Sequence, residues 1–194
     1  MASPLYFVTS NDFKFAEFDR LFSARAVALK RFDHSISEPQ AINMHEIVRY
    51  KVLVAYQRLG RPLMVDHSGL SMSALNGLPQ GLNNQFWDLL QGRVCELAAR
   101  AGDIAAEIIV VLGFCDGQRI MLVEHREPGS MASAPTPGGT FHLDRVFIPA
   151  GASRTLAEMS DAERDRWSHR AKVTDKAIAM LRRVPLGIQI GLSP

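Results

Sequence analysis

Apolar residues follow two rhythms along this chain, and their alternation predicts an α/β protein. Leu5-Tyr6-Phe7-Val8 is apolar at every position, as expected of a short central strand covered on both faces. Thr9 to Asp12 then caps a helix over Asp12–Ser23, with Phe15, Phe18, Leu21 and Phe22 on one side. A second strand is predicted over Ala26–Phe32, an irregular segment over Asp33–Ile42, and a helix over Met44–Leu59 that Gly60 stops. Leu63-Met64-Val65 is a buried strand that the polar run Asp66-His67-Ser68-Gly69 should break. Phe86–Ala101 has the spacing of one amphipathic helix. Ala105–Phe114 and Arg119–His125 flank the turn Asp116-Gly117 and should pair antiparallel. Glu127–Gly139, rich in Pro, Gly, Ser and Ala, is predicted as a loop. A short strand follows at Val146–Ile148, and Ser160 with Glu163 forms a capping box for a last helix over Asp161–Arg183. Ser168-His169-Arg170 falls near the middle of that helix.

Two junctions carry candidate chemistry. A buried strand that ends in Asp66, His67, Ser68 and Gly69 delivers polar groups to a sheet edge, where α/β proteins bind ligands. The same residues also describe an ordinary capped turn. At the first junction, the amides after Thr9 and the lysine one turn into the helix, Lys14, could hold a phosphate. A capped helix with a solvated lysine has the same pattern.

Composition narrows the classes. The 194 residues suit one α/β domain with a sizeable core. With 22 basic against 20 acidic side chains and a net charge of +2, the chain does not hold nucleic acid by bulk charge. No apolar run is long enough to span a membrane. The start of the chain has no signal-peptide pattern, and Cys95 and Cys115 read as buried reduced thiols, so a cytoplasmic setting is expected.

The motifs, taken together and in order, resemble one family. Thr9-Ser10-Asn11-Asp12-Phe13-Lys14 is similar to TGNxxK. Glu38-Pro39-Gln40 is similar to an acidic metal-binding segment, and Lys51 follows Glu46-Ile47 on the next helix. Val65-Asp66-His67-Ser68-Gly69-Leu70 resembles (E/D)DSGL, and Ala74-Leu75-Asn76-Gly77-Leu78-Pro79 resembles ALGGLPG. Gly139-Thr140-Phe141-His142-Leu143-Asp144 is similar to GFGYDP. Phe147-Ile148-Pro149, Thr155-Leu156-Ala157-Glu158-Met159-Ser160 and Ser168-His169-Arg170-Ala171-Lys172 resemble FIP, TxAEMS and SHRxKA. These are the signatures of the inosine triphosphate pyrophosphatase family, whose members cleave deaminated purine nucleoside triphosphates to the monophosphate and pyrophosphate.

The resemblance implies an elongated mixed β-sheet flanked by helices, with a nucleotide cleft between two lobes. It implies one domain over residues 1–185, a tail over 186–194, and a homodimer. For the site it implies that Lys14, Lys51 and the Thr9-Ser10-Asn11 loop neutralise phosphates, with Ser68, Gly69 and Lys172 also on the nucleotide. Glu38 and Asp66 would hold Mg²⁺. Phe141 would stack on the purine, Asp144 would accept from ring N–H groups, and His169 and Arg170 would donate to a 6-oxo group. Asp66, His67 and Lys14 occupy the catalytic positions.

The match fails at the catalytic centre. The family's second acidic residue in (E/D)DSGL is His67 here, and an imidazole is no substitute for a carboxylate at a Mg²⁺ site. Gly81 to Phe86 lacks the family's cation. His142, Leu143 and Arg145 depart from GFGYDP, whereas Phe141, Asp144, His169 and Arg170 are kept. The expectation is a protein that binds dITP, ITP or XTP and hydrolyses it slowly. Some degenerate relatives resemble nucleotide sensors of bacterial anti-phage systems, which implies an NAD-consuming effector as partner. An active house-cleaning pyrophosphatase is the alternative.

Overall fold

The computed structural model describes residues 4–138 and 141–184. The tail and the Gly139-Thr140 pair of the GFGYDP-like motif lie outside the described residues. The chain forms a six-stranded mixed sheet in the order β2-β1-β3-β4-β5-β6. β1 (Leu5–Val8) pairs parallel with β2 (Leu29–Phe32) and with β3 (Leu63–Met72). β4 (Ala105–Cys115), β5 (Ile120–Met131) and β6 (Phe147–Pro149) extend it antiparallel. The mixed sheet with flanking helices is the architecture expected.

Helices cover both faces. On one, α1 (Asp12–Ser23) and α6 (His169–Arg183) pack on Phe7, Met64, Val110 and Leu112. On the other, α2 (Met44–Leu59) packs on Val8, Val65, Ile109 and Val111. The apolar stripes of these helices and the unbroken apolar runs of β1 and β4 make this sandwich, since a sheet buried on both faces needs apolar residues of both parities. No described helix is long and apolar enough to cross a membrane. Cys95 and Cys115 are free and buried.

Several boundaries depart from expectation, each for a physical reason. β3 does not break at Asp66: residues 66–69 stay in register with Leu112, Val111, Val110 and Ile109 of β4. Its side chains alternate, so Met64, Asp66 and Ser68 face α1 and α6 while Val65 and His67 face α2. Gly69 allows a close approach, because a Cβ there would lie 2.2 Å from the carbonyl oxygen of Gln80. The helix expected over Phe86–Ala101 is two, α3 (Asn83–Leu90) and α4 (Arg93–Ala101), separated where Gln91 turns to φ +47° before Gly92. β2 begins only at Leu29, after Ala26 takes φ +60°. β5 runs through Pro128 to Met131, in the segment expected to be a loop. β6 pairs with β5 only from Gly129 onward, so the missing N–H of Pro128 falls where that ladder has not begun. The last helix is also two: α5 (Asp161–Trp167) ends at Ser168, whose side chain caps α6 by accepting from the Ala171 N–H. His169 and Arg170 therefore open a helix rather than lie within one.

Candidate functional site

The end of β1, the stretch of β3 just beyond its pairing with β1, and the loop before α2 enclose a cleft of about 320 Å³. Its first wall is the β1–α1 turn. Thr9 Oγ1 accepts from the Asn11 N–H at 3.2 Å, and Asn11 Oδ1 accepts from the Lys14 N–H at 2.9 Å, so the loop is tied to the start of α1. Thr9, Ser10, Asn11 and Lys14 all line the cleft. The opposite wall comes from Glu38 and Lys51, and β3 runs between the two, with Asp66 and Ser68 turned toward the α1 side and His67 toward the α2 side.

Two lysines organise the charge. Lys14 Nζ donates to Asp66 Oδ2 at 2.8 Å. Lys51 lies on the apolar stripe of α2, and its buried ammonium donates to Glu38 Oε1 at 2.5 Å and to the Asp66 carbonyl at 2.8 Å. Burial alone would raise the Asp66 carboxyl, but the charges of Lys14 and Lys51 outweigh it and hold it below the usual carboxylate range. Glu38 is likewise raised by burial, yet His67 and Lys51 together bring it well below that range. Burial depresses Lys14, with Lys51 and Arg170 adding to the effect, against the pull of Asp66. His67 is 4% exposed, with Nδ1 3.5 Å from Glu38 Oε1 and Nε2 buried without a hydrogen-bond partner among the described residues.

One wall of the cleft is aromatic, with the Lys14 ammonium 5.9 Å from the Phe141 ring centre. Phe141 is in its wall, stacked on His142 at 5.0 Å, and His142 stacks in turn on Trp87 at 4.8 Å. The His142 ring nitrogen Nε2 accepts from Asn83 Nδ2 at 2.7 Å, and burial lowers its pKa to about 4, so the ring is neutral near pH 7. The Arg170 guanidinium lies 4.4 Å over the Phe141 ring and donates through Nη1 to Glu17 Oε2 at 2.8 Å. Arg170, His169 and Asp144 are each 3% exposed or less. Yet Arg170 Nε and Nη2, both ring nitrogens of His169, and Asp144 Oδ1 have no partner among the described residues. Buried polar atoms are nearly always paired, and leaving one unpaired costs about 1–3 kcal/mol. Such a concentration of orphans marks a place built for a polar ligand. Burial also raises Asp144 to about 6 and pushes His169 well below its ordinary value.

The comparisons with known proteins bear on which ligand. A model of the Ham1 family matches residues 5–180. The chain belongs to the Ham1 family. Among its relatives, a dITP/XTP pyrophosphatase of Thermococcus kodakarensis is 32% identical over 170 residues, 87% of this chain and 91% of the relative. One from Methanopyrus kandleri is 30% identical over 172 residues, 88% of this chain and 92% of the relative. A solved HAM1 protein from Coxiella burnetii shares the fold, with a TM-score of 0.79 at 21% identity over 94% of this chain and 100% of that one. A nucleoside-triphosphatase / dITP/XTP pyrophosphatase from Mycobacterium abscessus has a TM-score of 0.68 at 26% identity, covering 92% of this chain and 100% of that one.

Within this Ham1 fold, the candidate residues divide into three groups. Thr9, Ser10, Asn11, Lys14, Glu38, Lys51, Asp66, His67, Ser68 and Phe141 come together around the cleft. Arg170 packs against Phe141, and its charge acts on Asp144 and His169. Gly69 and Lys172 are not in the cleft wall: Gly69 packs on the Gln80 backbone, and Lys172 is bound to Glu127 on β5. Sequence reasoning gave no role to His142, Trp87, Asn83 or Glu17. Only His142 had a visible signal, as the bulky residue at a glycine position of GFGYDP.

For Mg²⁺, the donor chemistry allows an ion shared with a nucleotide. No cluster of three or more His, Cys, Asp or Glu donors exists among the described residues. Glu38 and Asp66 are ionised hard-oxygen groups, which suffices where phosphate oxygens and water complete the shell.

Two expected results test this geometry. Lys14→Ala weakens triphosphate binding and, because it leaves the buried Asp66 carboxylate unpaired, also lowers the melting temperature. Adding Asp66→Asn restores stability without restoring affinity. The affinity loss shrinks at high salt, as an ionic contact requires. An unchanged affinity in Lys14→Ala would make the lysine a partner of Asp66 alone. Asp144, with its pKa raised to about 6, binds more protons folded than unfolded between roughly pH 4 and 6, so its ionisation costs stability as pH rises through that window. Asp144→Asn removes that cost. Its stability relative to the parent, from urea melts, should improve by on the order of 2–3 kcal/mol between pH 4 and pH 8. A difference that stays flat with pH would show that the carboxylate is not desolvated.

Proposed function

We propose that this Ham1 protein binds deaminated purine nucleoside triphosphates, dITP, ITP or XTP, and turns them over only weakly. The observation that carries the reading is the set of orphaned buried groups at Asp144, His169 and Arg170, grouped behind the Phe141 wall of the cleft that Lys14 and Lys51 line. The phosphates lie against the two ammoniums and the Thr9-Ser10-Asn11 turn. Glu38 and Asp66 face any Mg²⁺ that arrives with the nucleotide, and the ion would neutralise phosphate oxygens. Arg170 and His169 donate to the 6-oxo group, and Asp144 accepts from N1–H. The purine stacks on Phe141 by exchanging for a contact that Arg170 or His142 now makes with the ring.

The weak turnover rests on His67. It faces Glu38 and Lys51, where a second carboxylate would leave net negative charge; with the imidazole there, one carboxylate is offset by one ammonium. A protein that keeps base recognition and loses this charge is suited to report nucleotide rather than destroy it. We therefore assign it a sensor role with a protein effector, an NAD-consuming enzyme in an anti-phage setting, and a homodimeric assembly. One feature favours the alternative of an active pyrophosphatase: His67 has Nδ1 toward Glu38 and Nε2 without a hydrogen-bond partner among the described residues, the arrangement of an oriented general base. Pyrophosphate release from dITP, measured beside calorimetric binding, decides. Tight binding with negligible release supports the sensor, and ordinary turnover supports the enzyme.

A further inference from the structure

His169 and Arg170 open α6, and part of what fixes that first turn lies away from the cleft. We infer that Glu127, acting through Lys172, is a positioning residue that sets discrimination between deaminated purines and adenine, an inference that rests on the base-reading role proposed for His169 and Arg170.

Glu127 is a carboxylate only 4% exposed, in the interior of β5. It stands opposite Ile108 of β4, and so on the sheet face that α6 covers. Both its oxygens accept from Lys172 Nζ, each at 2.7 Å. His125, two residues earlier and on the same face, approaches Glu127 Oε2 through Nε2 at 2.9 Å. A buried carboxylate held by an ammonium on both oxygens and approached by a ring nitrogen is a rigid anchor, because withdrawing the ammonium leaves the charge uncompensated.

Lys172 follows His169 by three residues, so the two share one side of the helix. The chain restarts at Ser168, and no earlier turn of α6 supports His169 and Arg170. Among the described residues, three side-chain ties hold this turn to other elements: Ser168 and Arg170 to Glu17 on α1, at 3.4 and 2.8 Å, and Lys172 to Glu127 on β5. His169 has no hydrogen bond of its own among the described residues, so its direction is set by packing and by where the turn is held. Loss of the β5 tie leaves the turn anchored by side chains only on its α1 side, through Glu17. A shift of that kind misaligns hydrogen bonds to the base while leaving the β1–α1 turn untouched, because no side-chain hydrogen bond or ion pair of Glu127 or Lys172 among the described residues reaches that turn.

The test uses the full chain and calorimetry with dITP, dATP and inorganic tripolyphosphate. Glu127→Gln keeps the shape and removes the charge; Lys172→Met keeps the stem and removes the ammonium. Each should cut the ratio of dITP to dATP affinity by at least about tenfold while tripolyphosphate affinity stays within about twofold. Lys172→Arg, which can also donate to both carboxylate oxygens, should recover most of the ratio. Circular dichroism and thermal melting establish folding, and Lys172→Met, with a partly exposed side chain, serves if Glu127→Gln proves unstable. The inference is overturned if the ratio is unchanged in a folded variant. It is also overturned if all three ligands weaken together, which would show a merely structural role. A parent protein with no preference for dITP would sink the base-reading assignment itself, and this inference with it.

Discussion

His67→Asp should raise pyrophosphate release from dITP by at least about 10²-fold, the lower end of what a positioned base or its equivalent contributes. The alternation of β3 determines where the new carboxylate goes. Position 67 faces α2, so the group joins Glu38 and Lys51, while Asp66 stays with Lys14 across the strand. Two carboxylates against one ammonium give that wall the net negative charge and the hard oxygen donors that Mg²⁺ favours. The gain should therefore depend on added Mg²⁺. It should fall short of full activity, because the Gly81 to Phe86 segment still lacks a cation. A continuous assay of pyrophosphate with parent and variant side by side checks this. If the parent already turns over at about 1 per second or faster and the substitution slows it, the imidazole held by Glu38 is the working base, and the pyrophosphatase reading replaces the sensor.

The second large effect is in recognition. dITP and ITP should bind at least about 10²-fold more tightly than dATP and ATP, because adenine makes two mismatches at once. Its 6-amino group is a donor set against Arg170, which has only donors. Its N1 is an acceptor set against the Asp144 carboxylate. Each pairing leaves buried groups without partners, at about 1–3 kcal/mol apiece. Calorimetry with the four nucleotides at one salt concentration measures the ratio, and equal affinities would remove the base-reading role from Arg170, His169 and Asp144.

Much of the fold was legible because it depends on periodicity. β1, α1 and α2 begin and end where apolar spacing, the Thr9 to Asp12 cap and Gly60 predict. What sequence misplaced depends on contacts made at long range. Asp66 to Gly69 looks like a turn because four small or polar residues rarely continue a buried strand. It continues here because Lys14, from 52 residues earlier, receives the Asp66 carboxylate and β4 pairs the backbone throughout. The break at Ser168 was hidden by helical spacing that runs through it, and only a serine three residues before Ala171 hinted at a new cap. The residues that line the cleft, Thr9, Ser10, Asn11, Lys14, Asp66 and Phe141 among them, were legible as motifs. The pairing of Lys172 with Glu127 was not, since nothing in either local sequence names the other.

The unbroken run of β3 also fixes how this site can change. Each residue between Val65 and Gly69 is assigned to a wall by its parity alone. Substitution therefore alters one wall at a time, as His67 has done beside Glu38. Inserting or deleting a single residue would do something different in kind: it would exchange the walls, sending the imidazole toward Lys14 and the carboxylate toward Lys51. The length of this segment is thus a stricter requirement than its composition, and libraries that vary residues at 66–68 should yield folded proteins where those that vary its length do not.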